Sequence, residues 1–203
     1  MSQDNMPSWV VFDYYGVIVV DVMKETLLRH EKPEIDAAVH DLSQRFDLDE
    51  IDSDSYVKQL SKLYGISEER ASWIKDPKDS FDPDLVRYME HLRNTGIKIG
   101  IASNSNEESL HGSLQAAGLS GVVDAIVASS SIHAVKPDPR FWKELLRVTR
   151  AQPNEILLVD DRIENCHGAE LVGMQTLLYT GYDAFCEQIK AIIQPNSESK
   201  TDA

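Results

Sequence analysis

Trp9-Val10-Val11-Phe12-Asp13 is a short apolar run closed by a carboxylate. Such a run, with no polar alternation, reads as a strand buried on both faces. The chain repeats the device. Residues 97–102 (IKIGIA) form a second run and lead into Ser103-Asn104, and residues 125–128 form a short third. Residues 156–159 (ILLV) form a fourth run, leading into Asp160-Asp161, and residues 175–179 (QTLLY) form a fifth. Helical stripes lie between them. Asp82-Pro83 reads as an N-cap and first-turn proline ahead of Leu85, Val86, Met89 and Leu92. Phe141, Trp142, Leu145 and Leu146 make a second stripe, and Ala184, Phe185, Ile189, Ile192 and Ile193 a third. Strands alternating with helices predict an α/β protein, a Rossmann-like parallel sheet with helices on both faces and right-handed crossovers.

The interval between the first two strands is too long for one crossover helix. Residues 19–81 contain no good strand but carry two helical stripes, Ile35, Val39, Leu42 and Phe46, then Val57, Leu60 and Tyr64. The expectation is a small helical cap over 19–81, seated at the C-terminal edge of the first strand. The core domain then comprises 8–18 and 82–194. Residues 195–203 are polar and expected to be a disordered tail.

Composition narrows the function. In 203 residues, 20 Lys and Arg face 34 Asp and Glu, a net charge of −14. Nucleic acid and anionic membrane surfaces both call for a basic face, so neither is an expected partner. No run approaches the roughly 18 apolar residues of a membrane span. The first eight residues lack the basic region of a signal peptide. Two cysteines, Cys166 and Cys186, make no disulfide framework, and a cytoplasmic location is the simpler reading. None of the six histidines forms a pair with convincing metal-ligand spacing.

Three of the expected strands end in functional groups: Asp13, Ser103 and the pair Asp160-Asp161. In an open α/β sheet, ligands bind outside the carboxyl ends of the strands, and the sheet gathers those ends at one place. Each group also has a plainer reading. Ser103-Asn104 could cap a helix starting near Asn106, Asp160-Asp161 could cap a helix from Ile163, and Lys136 could be a solvated loop lysine.

Four segments together resemble the haloacid dehalogenase-like (HAD) superfamily, mostly phosphatases. They are residues 10–17 (VVFDYYGV), 101–104 (IASN), 136–139 (KPDP) and 158–165 (LVDDRIEN), the last running on to Gly168-Ala169 and Gly173. The resemblance implies a strand order of 5-4-1-2-3 and a small-cap architecture. It implies that Asp13 attacks phosphorus to form an aspartyl-phosphate. It further implies a Mg²⁺ ion held by Asp13, the main-chain carbonyl of Tyr15 and Asp161, with Asp160 as a direct or indirect ligand. Ser103 and Asn104 would bind the phosphoryl oxygens, and Lys136 would hold Asp13 and neutralise developing charge.

The sequence departs from the family at Tyr15. Most family phosphatases have a second aspartate there, which protonates the leaving group. A phenol, with a pKa near ~10, is poorly matched to that task. Asp-x-Tyr-Gly resembles the family's 2-haloacid dehalogenases, where halide leaves without a proton. Those enzymes use no metal and lack the paired carboxylates. Without a cation, Asp160 and Asp161 would repel Asp13 and a haloacid's own carboxylate. Smaller departures are His133, three residues before Lys136 where glycine is frequent, and Val17, where threonine is common. The expected function is therefore a Mg²⁺-dependent phosphatase on small phosphorylated metabolites, favouring activated leaving groups. The alternatives are a weakly active or non-catalytic metal- and phosphate-binding protein, and a 2-haloacid dehalogenase.

Overall fold

The computed structural model describes residues 6–19, 33–75 and 81–193. The five expected strands form one parallel sheet. They are β1 (Trp9–Phe12), β2 (Lys98–Ser103), β3 (Ala125–Ala128), β4 (Ile156–Asp160) and β5 (Gln175–Leu178). Their spatial order is β3-β2-β1-β4-β5, which from the opposite edge is the expected 5-4-1-2-3. Three helices lie among the described residues between Val19 and Phe81: α1 (Pro33–Asp47), α2 (Ser53–Tyr64) and α3 (Glu68–Lys75). The remaining helices are α4 (Pro83–Asn94), α5 (Glu107–Ala116), α6 (Ser129–Ile132), α7 (Pro139–Thr149), α8 (Ile163–Glu170) and α9 (Tyr182–Ile193).

The central strands are apolar throughout because both faces are covered. Val10, Phe12, Ile99, Ile101, Leu157 and Val159 pack with Leu85, Met89 and Leu92 of α4, Leu110 and Leu114 of α5, and Phe185, Ile189 and Ile193 of α9. Trp9, Val11, Ala102, Val127, Ile156 and Leu158 turn the other way, onto Phe141, Trp142 and Leu145 of α7 and Ala169 of α8. At roughly 1.5–3 kcal/mol per fully buried large apolar side chain, these two layers supply the main drive for folding. The cap of α4 is as read: Asp82 accepts from the N–H groups of Asp84 and Leu85, and Pro83 opens the helix.

Helices α1–α3 have an apolar cluster of their own, built from Val39, Leu42, Phe46, Tyr56, Leu60, Tyr64 and Ala71. The rings of Phe46 and Tyr56 stack at 4.6 Å. Val19 and Phe81 meet in an antiparallel bridge, so the chain leaves the sheet layer and rejoins it side by side. The tail expected at 195–203 lies outside the described residues. Among the described residues, no helix is long and apolar enough to cross a membrane.

Register brings the strand ends level. Phe12 pairs with Ile101 on one side and Val159 on the other, so Asp13 stands level with Ala102 and Asp160. On the α7 side, Trp142 donates from its indole N–H to the Pro137 carbonyl at 3.2 Å. Gly168 of α8 closes this corner: a Cβ there would lie 2.6 Å from the Pro137 ring and 2.9 Å from Trp142 Nε1. Gly168→Ala is therefore expected to destabilise the fold by about 1–3 kcal/mol, as overpacking does. Urea unfolding checks this, and a variant as stable as the parent would contradict the packing.

Candidate active site

Lys136 lies at the centre of the sheet's carboxyl edge, with its side chain only 1 % exposed. Its ammonium group donates to Asp160 Oδ2 at 2.7 Å and to the Ala102 carbonyl at 2.7 Å, and lies 3.0 Å from Asp13 Oδ1. These contacts account for all three of its N–H bonds. It is not a solvated loop lysine. Burial acts to lower its pKa, but Asp13 and Asp160 outweigh that, and the net shift is upward.

The loop carrying Lys136 is fixed by Asn104. The Asn104 side-chain oxygen accepts from the Lys136 main-chain N–H at 2.7 Å, and its amide donates to the Lys136 carbonyl at 3.2 Å. Helix α5 is capped by Asn106, which accepts from the N–H of Ser109. Ser103 and Asn104 are thus not its cap. The Ser103 hydroxyl is fully buried at the end of β2 and has no hydrogen-bond partner among the described residues. A buried hydroxyl left unpaired costs stability, and such groups mark places where a ligand belongs.

Asp160 is committed to the protein. Its Oδ1 accepts from the Arg162 N–H at 2.9 Å and from Asn165 Nδ2 at 2.9 Å, while Oδ2 takes Lys136 and a longer 3.1 Å contact with Asn165. Asn165 was visible in sequence only as part of a motif. Its signal is a buried amide on the first turn of the helix that follows a strand-end carboxylate. Arg162 precedes α8 without a side-chain cap, so Asp160 also orders that helix start.

Asp161 stands on the other side, against the turn after β1. That turn is closed by Gly16 N–H to Val19 O at 2.8 Å and by Ile18 and Val19 N–H to Tyr14 O. Gly16 has φ +84°, and a Cβ on it would fall 2.4 Å from Asp161 Oδ2. Only glycine serves there. Tyr15 lies in the same turn, its ring edge-on to Tyr14 at 5.0 Å. His133, at the position noted as often glycine, adopts the left-handed conformation with φ 48°.

Asp13 is buried, and its Oδ1 accepts from the Tyr14 N–H at 2.6 Å. Burial raises its pKa to about 7 against the opposing pull of Lys136, with Asp160 and Asp161 adding to the rise. One carboxylate oxygen each from Asp13, Asp160 and Asp161 lies within 4.8 Å of the others. Two metal–oxygen bonds of about 2.1 Å nearly cover that span. The donor set is all hard oxygen, which fits Mg²⁺. Cys166, behind Asp160, is no rival nucleophile, since burial pushes its thiol up to about 11.

A fourth acidic residue, unmarked in the sequence, approaches this edge. Asp47 ends α1, is partly buried, and is close enough to Asp13 and Lys136 to feel both charges. Nothing local links position 47 to position 13; the packing of α1 against the core does.

The family model for haloacid dehalogenase-like hydrolases matches residues 17–179, and the chain belongs to that family. It is 30 % identical over 95 residues to the (S)-2-haloacid dehalogenase 4A of Burkholderia cepacia, over 47 % of this chain and 41 % of that protein. It is 32 % identical over 97 residues to the phosphatase MT3486 of Mycobacterium tuberculosis, over 47 % of this chain and 45 % of that one. The chain thus spans less than half the length of these curated relatives. The fold also matches the L-2-haloacid dehalogenase of Xanthobacter autotrophicus, solved with chloropropionic acid covalently bound. The TM-score is 0.63 at 18 % identity, covering 92 % of this chain and 83 % of that one.

Removing the lysine should expose how the carboxylates depend on it. Lys136→Met keeps the stem but leaves Asp13 and Asp160 without their shared cation, at an expected cost of about 3–5 kcal/mol. Chemical denaturation measures this; a loss below about 1 kcal/mol would mean that the ion pairs are not what holds this edge together.

Proposed function

We propose that this chain is a Mg²⁺-dependent phosphatase acting on small phosphorylated metabolites, with Asp13 as nucleophile. The observation that carries the reading is the clustering of Asp13, Asp160 and Asp161 beside an unpartnered, buried Ser103 hydroxyl. The carboxylates suit a hard cation, and the hydroxyl suits an anionic ligand that the cation neutralises. Asp13, Asp161 and the carbonyl of Tyr15 would hold the ion directly. Asp160, whose oxygens already accept from Lys136, Asn165 and Arg162, would act by holding Lys136. The ion would supply charge neutralisation at the phosphoryl oxygens.

The residues then divide the work. Asp13 attacks phosphorus, held in aim by the Tyr14 N–H and Lys136. Ser103 donates to a phosphoryl oxygen and so gains the partner it lacks. Asn104 contributes by clamping the main chain of Lys136, which is a different use of its side chain from the phosphate contact expected above. We assign residues 19–81, including α1–α3, to a cap that covers this edge. Tyr15 provides no carboxyl, so on the nucleophile's side alone activated leaving groups are favoured. The free thiols of Cys166 and Cys186 suit a reducing, cytoplasmic setting.

Dehalogenation is the second reading, and the similarity to haloacid dehalogenases favours it. The carboxylate cluster opposes it, because a haloacid would bring a further carboxylate to an already acidic edge. A non-catalytic metal- and phosphate-binding role would leave the trio of Asp13, Lys136 and Asp161 with less to do.

A screen of phosphorylated metabolites with and without Mg²⁺ tests the proposal, with halide release from 2-chloropropionate as the contrast. Phosphate release that needs both Mg²⁺ and Asp13 is expected. Asp13→Asn should abolish it and leave the fold intact by circular dichroism. Halide release with no phosphate release would overturn the reading.

A further inference from the structure

One hydroxyl joins the helical segment to the loop that follows β2. Ser129 opens α6 at the end of β3 and is fully buried. Its Oγ donates to the Asp47 main-chain carbonyl, at the end of α1, at 2.7 Å. The same oxygen accepts from the Ser105 N–H at 2.9 Å, and the Ser105 carbonyl lies 3.2 Å away as a second acceptor. Ser105 is two residues past Ser103 and adjoins Asn104, whose side chain brackets the main chain of Lys136. The loop rests on α6 at two further points. The Ser130 N–H donates to the Ser105 carbonyl at 3.3 Å, and the Ser130 hydroxyl accepts from the Glu107 N–H at 2.9 Å.

The two residues after Asp47 are fastened beside it. The ring Nδ1 of His133 lies 3.2 Å from the Leu48 carbonyl oxygen, and Asn106 Nδ2 donates to Asp49 Oδ1 at 3.0 Å. Asp49 and His133 both take left-handed backbone conformations at this junction, with φ 61° and 48°. Non-glycine residues adopt that conformation at a cost, which the surrounding contacts must offset.

We infer that Ser129 is a positioning residue, through which the seating of α1 sets the place of Ser103 and Asn104. A serine hydroxyl has one proton and two lone pairs. While the Asp47 carbonyl takes the proton, a lone pair is left for the Ser105 N–H. Without that carbonyl the proton turns to the Ser105 carbonyl, and the loop loses the alignment it has here. The inference rests on the phosphatase reading above, in which Ser103 donates to a phosphoryl oxygen and Lys136 aims Asp13. Ser129 acts through those residues. Asn104 carries a shift of the loop to Lys136, so one displaced hydroxyl disturbs both the phosphoryl contact and the nucleophile's cation.

The test measures kcat for p-nitrophenyl phosphate with Mg²⁺, and inhibition by inorganic phosphate, on the full chain at a temperature where each variant is folded. Ser129→Ala should lower kcat by about 10²-fold, the scale of a misplacement of roughly 1 Å. Inhibition by inorganic phosphate should weaken by roughly three- to tenfold, as for a lost hydrogen bond. His133→Gly removes an exposed ring from Leu48 and keeps a residue suited to the left-handed backbone; it should lower kcat in the same direction by less. Thr149→Val is the control. It deletes a buried hydroxyl at the end of α7 remote from Lys136, and should lower stability while leaving kcat unchanged. A Ser129→Ala protein that only melts earlier, with kcat and phosphate inhibition unchanged, would overturn the inference. So would an equal loss of kcat in Thr149→Val, or an unchanged kcat in His133→Gly, which decides the matter even if Ser129→Ala does not fold. If the parent shows no Asp13-dependent hydrolysis, the phosphatase reading fails and the role of Ser129 falls with it. If hydrolysis is Asp13-dependent and the variants match the parent, Ser129 alone is excluded.

Discussion

Everything at the carboxyl edge of the sheet is arranged around one buried ammonium group. Lys136 bonds Asp13, Asp160 and the end of β2 at once, and so joins three neighbouring strands at the level where they stop. A buried lysine with no partner would lose its proton or unfold its surroundings. With these partners it stays charged, and the carboxylates are drawn to one point. Asn104 holds the lysine's main chain, Asn165 holds Asp160, and the Tyr14 N–H holds Asp13. Each of these supports sets where a carboxylate of the edge stands.

The edge nevertheless carries more negative charge than Lys136 can balance. Asp161 faces the Gly16 turn and Asp47 arrives from α1, so acids approach Asp13 from several directions. An arrangement like this is unfavourable as a resting structural feature. It makes sense where a cation and a phosphoryl group share the space, because the ion's charge offsets the carboxylates and the phosphate offsets the ion. The division of labour among the acids follows from what each oxygen already accepts. Asp160 is occupied by protein donors, Asp13 is aimed, and Asp47 stands at the junction between the helices and the sheet.

Much of this was legible in the chain because the signals were local. Short runs such as WVVF and ILLV, set between helical stripes, read as strands buried on both faces, and the residue following each strand emerges at its end. Asp13, Ser103 and Asp160 were found that way. Asp82-Pro83 announced α4 through cap chemistry. What stayed hidden depends on packing between distant segments. Asn104 reads as a phosphate ligand until the Lys136 loop folds back onto it, 32 residues away. Asp47 is one more acid in an acidic chain until Ser129 and His133 fasten the end of α1 to the core. The glycine-like conformation of His133 is explained in the same way, by a contact that no periodicity encodes.

The account turns on whether Asp13 becomes covalently phosphorylated. Enzyme mixed with a turned-over phosphate ester and Mg²⁺, quenched in acid and reduced with borohydride, can be digested and sequenced by mass spectrometry. Reduction of an aspartyl-phosphate yields homoserine, so position 13 should read as homoserine in a substrate- and Mg²⁺-dependent fraction of the chain. Aspartate unchanged at position 13 during pre-steady-state phosphate release, or homoserine at another carboxylate, would contradict the account.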